Sequence, residues 1–391
     1  MSTALNIVHM IPALTKGGAE RVALDLANAS ARDGHCVTLV ACWKVDEQVL
    51  RVRLAPEVRV VYMTEIPGGR LLRYFAGLRW ILKNRKWLAG KDVIHLHLTQ
   101  AAVLGTLFHA LRSLGWGTGP AIIETYHAVG MKISQRMQAF HAWNCRRRDG
   151  IALMALDPYW RDFIVRNPKL VCELIPNGVD APVGAAPDES VRAYLDEIGV
   201  PRRAIRIIGN VGQFRADRQP LTIARILIDV LKQTSDDVHA LMCGSGPELE
   251  RVRTLVETEG LEKRFALPGV VNEPRVAMSA MSLYLTINVG DITGIAALEA
   301  AFCGVPIVAL QFDTDRKPVA NDWIWSSAVP DTICNRIVAL LAAPEKLACI
   351  ADQQHAHAIA EYSVDSMHGR YIALYRRALE ARRTFVTIKK E

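Results

Sequence analysis

Two glycine turns, each between an apolar run and a helical pattern, constrain this chain more than any other feature. The first, Lys16-Gly17-Gly18-Ala19-Glu20, follows Asn6-Ile7-Val8-His9-Met10-Ile11. The second lies in Asp291-Ile292-Thr293-Gly294-Ile295-Ala296-Ala297-Leu298-Glu299. Glycine between strand and helix lets backbone approach an anion, toward which the free N–H groups of the first helical turn point. One such turn in each half predicts two sheet domains closing over a diphosphate.

Strand-then-helix alternation runs through the whole chain. Apolar strands are expected at 6–11, 36–40, 58–63, 93–98, 121–126 and 151–156. Between the first two, Ala19, Val22, Ala23, Leu26 and Ala27 form a helical stripe that Gly34 ends. Pro176-Asn177-Gly178 is a turn signal, and 181–187 reads as a linker. A second series follows, with strands at 205–211, 238–243, 265–268, 283–287 and 306–310. Near-continuous apolar strands alternating with helices imply parallel sheets covered on both faces. The last stretch, 363–388, is one helical pattern with Met367, Tyr371, Leu374, Tyr375 and Leu379 apolar. At 391 residues two domains are expected. Their bounds are read as 1–178, completed by a crossing helix at 364–391, and 186–363.

Several classes are disfavoured. No uncharged apolar run reaches the ~18–20 residues of a membrane span. The first six residues lack a charged leader region, so a cytoplasmic location is expected. The eight cysteines contain no CxxC pair and sit mostly in apolar runs, so buried reduced thiols are expected rather than disulfides or metal ligands.

Charge is uneven. Between 66 and 148 thirteen Lys/Arg face two acids, Asp92 and Glu124, although the whole chain is only +7. An anionic partner on one face of the N-terminal half follows. The segment 70–91 carries seven of these cations and no acid. Leu71, Leu72, Phe75, Leu78, Ile81 and Leu82 form a helical stripe there, with Trp80 and Trp87 left for an interface. This is either a core-packed helix with a basic outer face or a surface that docks on an anionic leaflet. No nucleic-acid recognition motif accompanies the basic segment, so a nucleic-acid partner is not expected.

Glu299 is flanked by Ala297, Leu298, Ala300 and Ala301. Burying such an acid without partners is costly, and ribose hydroxyls or local backbone N–H groups are suitable donors to it. Gly244-Ser245-Gly246-Pro247-Glu248 is a further glycine turn after a strand.

Several motifs, in their order and spacing, resemble family four retaining glycosyltransferases, which have the GT-B fold. They are Gly17-Gly18-Ala19-Glu20-Arg21-Val22, Gly34-His35-Cys36-Val37, Asp92-Val93-Ile94-His95 and Thr125-Tyr126-His127. Ile175-Pro176-Asn177-Gly178-Val179-Asp180, Gly244-Ser245-Gly246-Pro247, Leu298-Glu299-Ala300-Ala301, 304–309 and a C-terminal Tyr371 to Tyr375 segment complete the set. The resemblance runs from residue 6 to about 380. It implies two Rossmann-like doubly wound domains facing across a cleft, the first binding acceptor and the second the nucleotide-sugar donor. A C-terminal helix would cross back to the first domain.

The resemblance also assigns roles. Gly17 and Gly18 would offer N–H groups to the donor diphosphate, and Glu299 would hold the ribose. Asp291 would stand near the transferred sugar, with Thr293, Gly294 and Ile295 at a helix N-terminus beside sugar and phosphate. His127 would lie beside the sugar's C6 side and the acceptor, and Gly244 would line the donor site. No metal or other cofactor is implied, so the Asp313-Thr314-Asp315 triplet would be a solvated loop rather than a metal-binding DxD. Where the family carries an Arg-x₄-Lys pair, this chain has Gln213 and Arg218, with Arg215 between. Asp291 replaces a glutamate and lacks the usual following glycine. The expected activity is transfer of a hexose to a glycan or lipid-linked acceptor with retention. Bacterial surface polysaccharide synthesis (lipopolysaccharide or exopolysaccharide), peripheral to the inner face of the cytoplasmic membrane, is the expected setting. The alternative is a non-catalytic GT-B subunit that binds a nucleotide sugar or a partner transferase.

Overall fold

A computed structural model of the chain describes residues 3–14, 18–44, 54–65, 69–113, 119–127, 135–154, 158–168, 170–180, 182–201, 206–288, 294–311 and 323–388. It divides into two compact units, Met1–Gly178 with Ser363–Glu391, and Val179–Tyr362.

Among the described residues the first unit is built on seven parallel strands: β1 Asn6–Ile11, β2 Cys36–Ala41, β3 Arg59–Tyr62, β4 Val93–His97, β5 Ala121–Tyr126, β6 Gly150–Leu153 and β7 Cys172–Leu174. Their order is β3-β2-β1-β4-β5-β6-β7. Residues of β1, β4 and β5 are buried almost throughout, as their unbroken apolar runs require of strands covered on both faces. One face packs Val8, Met10, Ile94, Leu96 and Ile122 against Ile81, Leu104 and Phe108. The other packs Ile7, Val93 and Ile123 against Val22 and Leu26, and against Met367, Tyr371, Leu374 and Tyr375. These last four belong to the helix Val364–Ile388, so the C-terminal helix returns to the first sheet along the stripe its periodicity predicts.

The second unit has β8 Arg206–Val211, β9 Val238–Cys243, β10 Phe265–Gly269, β11 Leu283–Asn288, β12 Ile307–Gln311 and β13 Ser326–Ser327. The order β10-β9-β8-β11-β12-β13 repeats the doubly wound plan. Helix Pro220–Lys232 buries Ile223, Ile226, Leu227 and Val230 on one face of this sheet. Helix Ile295–Phe302 buries Leu298 and Ala301 on the other. The described part of the stretch read as a linker, 182–187, is tied to this unit: Gly184 N donates to Phe302 O and Ala186 N to Ser279 Oγ, and just ahead of it Val179 N donates to Tyr362 O.

The strands depart from expectation in two ways. β4 stops at His97, because Leu98 takes a left-handed φ of 66° and opens the helix Leu98–Ser113 directly. The short edge strands β7 and β13 have no apolar run to announce them. All eight cysteines are free thiols, with Cys36 and Cys349 exposed and five of the rest buried. None of the described helices is long and apolar enough to cross a membrane.

Candidate functional site

In each sheet the chain winds outward from a central strand, then restarts on that strand's other side. The restarts lie between β1 and β4 and between β8 and β11. Loops leaving the carboxyl ends diverge there, and such switch points are where doubly wound sheets hold ligands.

In the first unit, β1 leads into the glycine turn. Gly17 lies outside the described residues; Gly18 opens the helix Gly18–Arg32, with Glu20 in its first turn. On the other side of the switch point, His97 ends β4 and His127 follows β5. His9 and His95 are register partners on β1 and β4, and with period-two alternation His97, Thr125 and His127 share their face. The result is a polar seam within an apolar sheet face. His9 Nδ1 lies 3.2 Å from His97 Nε2, and His97 Nδ1 lies 3.1 Å from His127 Nε2. His95 is held separately, Nε2 to Thr125 Oγ1 and Nδ1 to the Tyr375 hydroxyl, each at 2.7 Å. Burial lowers every one of these imidazoles, His9 to about 3 and His127 to about 4, so all are neutral near pH 7.

His9, His95 and His97 place nitrogens within 4.8 Å of one another. His95 spends both of its nitrogens on hydroxyl partners, which leaves it no lone pair for a cation. Sequence reasoning passed over His9 and His97. Their signal was histidine at same-face spacing in strands otherwise apolar.

In the second unit, β8 leads to Gln213, Arg215 and the 3₁₀ turn Ala216–Arg218. Asp217, not anticipated from sequence, organises the cations. Arg215 donates to both its carboxylate oxygens at 2.9 and 3.2 Å, and Arg218 Nε stands 3.7 Å away. Arg218 is the more exposed cation, at 62% against 55% for Arg215. Gln213 supplies only a 3.4 Å acceptor to Arg215.

After β11, Asp291 and Thr293 lie outside the described residues. Gly294 is the N-cap of helix Ile295–Phe302, and among the described residues no side chain caps it, so backbone N–H groups lead this helix. Glu299 lies half-buried on it, near the Tyr284 hydroxyl, which burial foremost and the Glu299 charge further raise. Tyr284 in turn donates to Val211 O at 2.8 Å and accepts from Val211 N at 3.1 Å, fixing the end of β8 where the cationic loop departs. Asn288, the last residue of β11, is fully buried, and neither side-chain polar atom has a partner among the described residues.

Gly244 has a backbone reason of its own. At φ 138° a Cβ on it would lie 1.8 Å from Gly212 O, since the loops after β8 and β9 are laced by Gly212 N to Cys243 O and Phe214 N to Ser245 O. Its glycine is therefore required by loop packing.

The basic helix Arg70–Lys83 corrects an expectation. Its buried side is Gly77 and Ile81, with Tyr74 and Trp80 packed on the same core as Trp87. The stripe expected inside is partly outside: Leu71 is 85% exposed and Phe75 73%, and Leu72 and Leu82 are exposed too. The tryptophans expected at an interface instead meet edge-to-face, at 6.1 Å. Part of the local charge is internal, since Arg148 pairs with Glu124 in the core at 2.6 Å and Arg112 with Asp149.

Comparison with known proteins agrees with this architecture. Residues 16–182 match the model for "Glycosyltransferase Family 4", and residues 205–343 the model for "Glycosyl transferases group 1". A D-inositol 3-phosphate glycosyltransferase from Corynebacterium jeikeium is 24% identical over 59% of this chain; that match spans 58% of the relative. A phosphatidyl-myo-inositol mannosyltransferase from Mycobacterium leprae is 26% identical over 83% of this chain and 84% of its own. Among solved structures, Anabaena Alr3699/HepE in complex with UDP and glucose superposes with a TM-score of 0.71, at 18% identity, over 94% of this chain and 98% of that one. With one domain model matched in each half and two doubly wound sheets, the chain belongs to the GT-B glycosyltransferases, with a family 4 first domain and a group 1 second domain.

Proposed function

We propose that this chain transfers a hexose from a nucleotide-sugar donor to a glycan or lipid-linked acceptor, with retention of configuration and without a metal. One observation carries the reading. At the β8/β11 switch point, the Arg215–Arg218 loop and the glycine-led start of helix Ile295–Phe302 follow neighbouring strands, and both suit a diphosphate. The relatives' activities support the acceptor class, and the UDP in the solved relative supports a nucleotide donor.

Chemistry follows from charge. Departure of the nucleoside diphosphate leaves an anion on one side and an oxocarbenium-like sugar on the other. Arg218 and the helix N–H groups stabilise the anion, and Asp291 stabilises the sugar. Glu299 accepts from the ribose, and the glycine turn at Gly17 and Gly18 is the proposed source of N–H groups for the diphosphate from the first unit's motif. His127, held neutral, orients the sugar rather than adding charge. Incubation with a nucleotide-sugar panel and candidate acceptors tests this: free nucleoside diphosphate should appear with an α-linked product from an α-linked donor. Donor binding with no turnover on any acceptor would favour a non-catalytic subunit instead, a reading to which Gln213 in place of a cation lends weight.

The outer face of helix Arg70–Lys83 supports a setting at an anionic membrane surface. Leu71, Leu72, Phe75 and Leu82 would enter the headgroup boundary, while Arg79 and Lys83, with Arg85 and Lys86 of the following short helix Arg85–Ala89, meet lipid charge. That suits a lipid-linked acceptor in surface polysaccharide synthesis, on the cytoplasmic face.

A further inference from the structure

The imidazoles of His9, His97 and His127 form one chain of hydrogen bonds, and its two ends are unlike. Each neutral imidazole has one N–H and one lone pair, so the two bonds can run in only one of two senses. In one sense all three rings carry the proton on Nδ1, and His127 ends the chain with a free Nδ1–H. In the other all three carry it on Nε2, and His9 ends the chain with a free Nε2–H. Both terminal atoms, His127 Nδ1 and His9 Nε2, are buried with no partner among the described residues. His9 lies in mid-strand at 0% exposure. A donor orphaned there is worse than an orphaned lone pair. His127 ends its chain just beyond β5, at the carboxyl edge of the sheet, in a residue only half-buried, so this end lies nearer to any ligand at the switch point than His9 does.

We propose that His97, backed by His9, is a positioning residue for His127. It fixes the His127 ring and holds it as the Nδ1–H tautomer, so that this atom is a hydrogen-bond donor to a sugar oxygen. The inference rests on reading His127 as a sugar contact, but its first test does not. The groups that face the chain are His95, beside His9 and His97 in ring contact, and His368, whose charge acts on His9. No acid contacts the three rings among the described residues, so nothing favours an imidazolium over the neutral forms.

Long-range nitrogen–proton correlation NMR on histidine-labelled full-length protein reads the tautomer directly. The wild type should show His127 neutral and in the Nδ1–H form from pH 8 down to about pH 5. In His97→Phe the Nε2–H form should appear beside it, and in His97→Asn the ring should stay neutral but with mixed tautomers. An Nε2–H His127 in the wild type overturns the proposal without need of any variant. So does a His127 spectrum unchanged by both substitutions. Addition of a nucleotide sugar then separates the two ideas. A His127 signal that depends on His97 but ignores every donor upholds the relay and removes the sugar contact.

Discussion

His95 and Tyr375 are 280 residues apart in sequence and share a buried hydrogen bond of 2.7 Å. The bond joins the central strand β4 to the helix Val364–Ile388, and Thr125 extends it to the Tyr371 hydroxyl at 2.9 Å. Tyr371 and Tyr375 are both almost wholly buried, so this polar ladder is sealed from water. The C-terminal helix is thereby part of the first unit's core rather than an appendage.

Tyr375→Phe keeps the ring and removes the hydroxyl, which leaves His95 Nδ1 buried and unpaired. Loss of one such partner costs about 1–3 kcal/mol. Urea unfolding of the full chain should show this loss, with helicity retained. An unchanged midpoint would mean that the ladder contributes nothing.

The histidine seam predicts acid sensitivity. His9, His95, His97 and His127 all have folded values below the ordinary 6.5. Below pH 6.5 the unfolded chain therefore binds protons that the folded chain refuses. Stability is full above pH 6.5 and falls with acidification, by up to about 1.4 kcal/mol per pH unit for each imidazole, until each folded value is reached, about 3 for His9 and about 4 for His127. Thermal melting should drop steeply between pH 6.5 and 4.5, and less steeply in His9→Phe. A flat profile over that range contradicts burial of neutral rings.

Asp217 holds Arg215 through two hydrogen bonds and stands near Arg218. Asp217→Asn keeps the loop polar and releases both cations. Exposed ion pairs are worth about 0.2–1 kcal/mol, so nucleoside diphosphate should bind a few-fold tighter. Arg218→Ala should lower turnover by about 2.7–4 kcal/mol of transition-state stabilisation. Weaker binding in Asp217→Asn would show that the acid itself supports the site.

The exposed face of helix Arg70–Lys83 predicts sedimentation with anionic vesicles at low salt and release as salt screens the charges. Leu71→Ser with Phe75→Ser should reduce capture without lowering stability, because both side chains are solvent-exposed. Reversal of Arg79, Lys83, Arg85 and Lys86 should abolish it. Equal sedimentation of the charge-reversed variant contradicts an electrostatic surface.

Sequence made the two sheets legible because β1, β4, β5, β9 and β11 are buried on both faces and so read as apolar runs. β7 and β13 were illegible for the opposite reason: two or three residues at a sheet edge bury too little to leave a pattern. The helix 70–83 carries two apolar stripes, and periodicity alone does not say whether Ile81 or Phe75 faces the core. Gly77, closely packed on Leu104, was the deciding residue. At the site, the glycine turns and Glu299 were visible as motifs. Asp217 and the His9–His97–His127 chain were not, because each depends on strands or turns brought together only by folding.

The central claim is that the second unit binds a nucleotide through Glu299 and the start of helix Ile295–Phe302. Calorimetric titration of UDP, GDP and ADP into the wild type and Glu299→Ala measures it directly. At least one nucleotide should bind the wild type, and that affinity should fall about 10- to 100-fold in the variant, the value of a hydrogen bond to a charged group, with melting temperature unchanged. Equal affinity in both proteins, or no binding of any nucleotide to the wild type, would contradict the account.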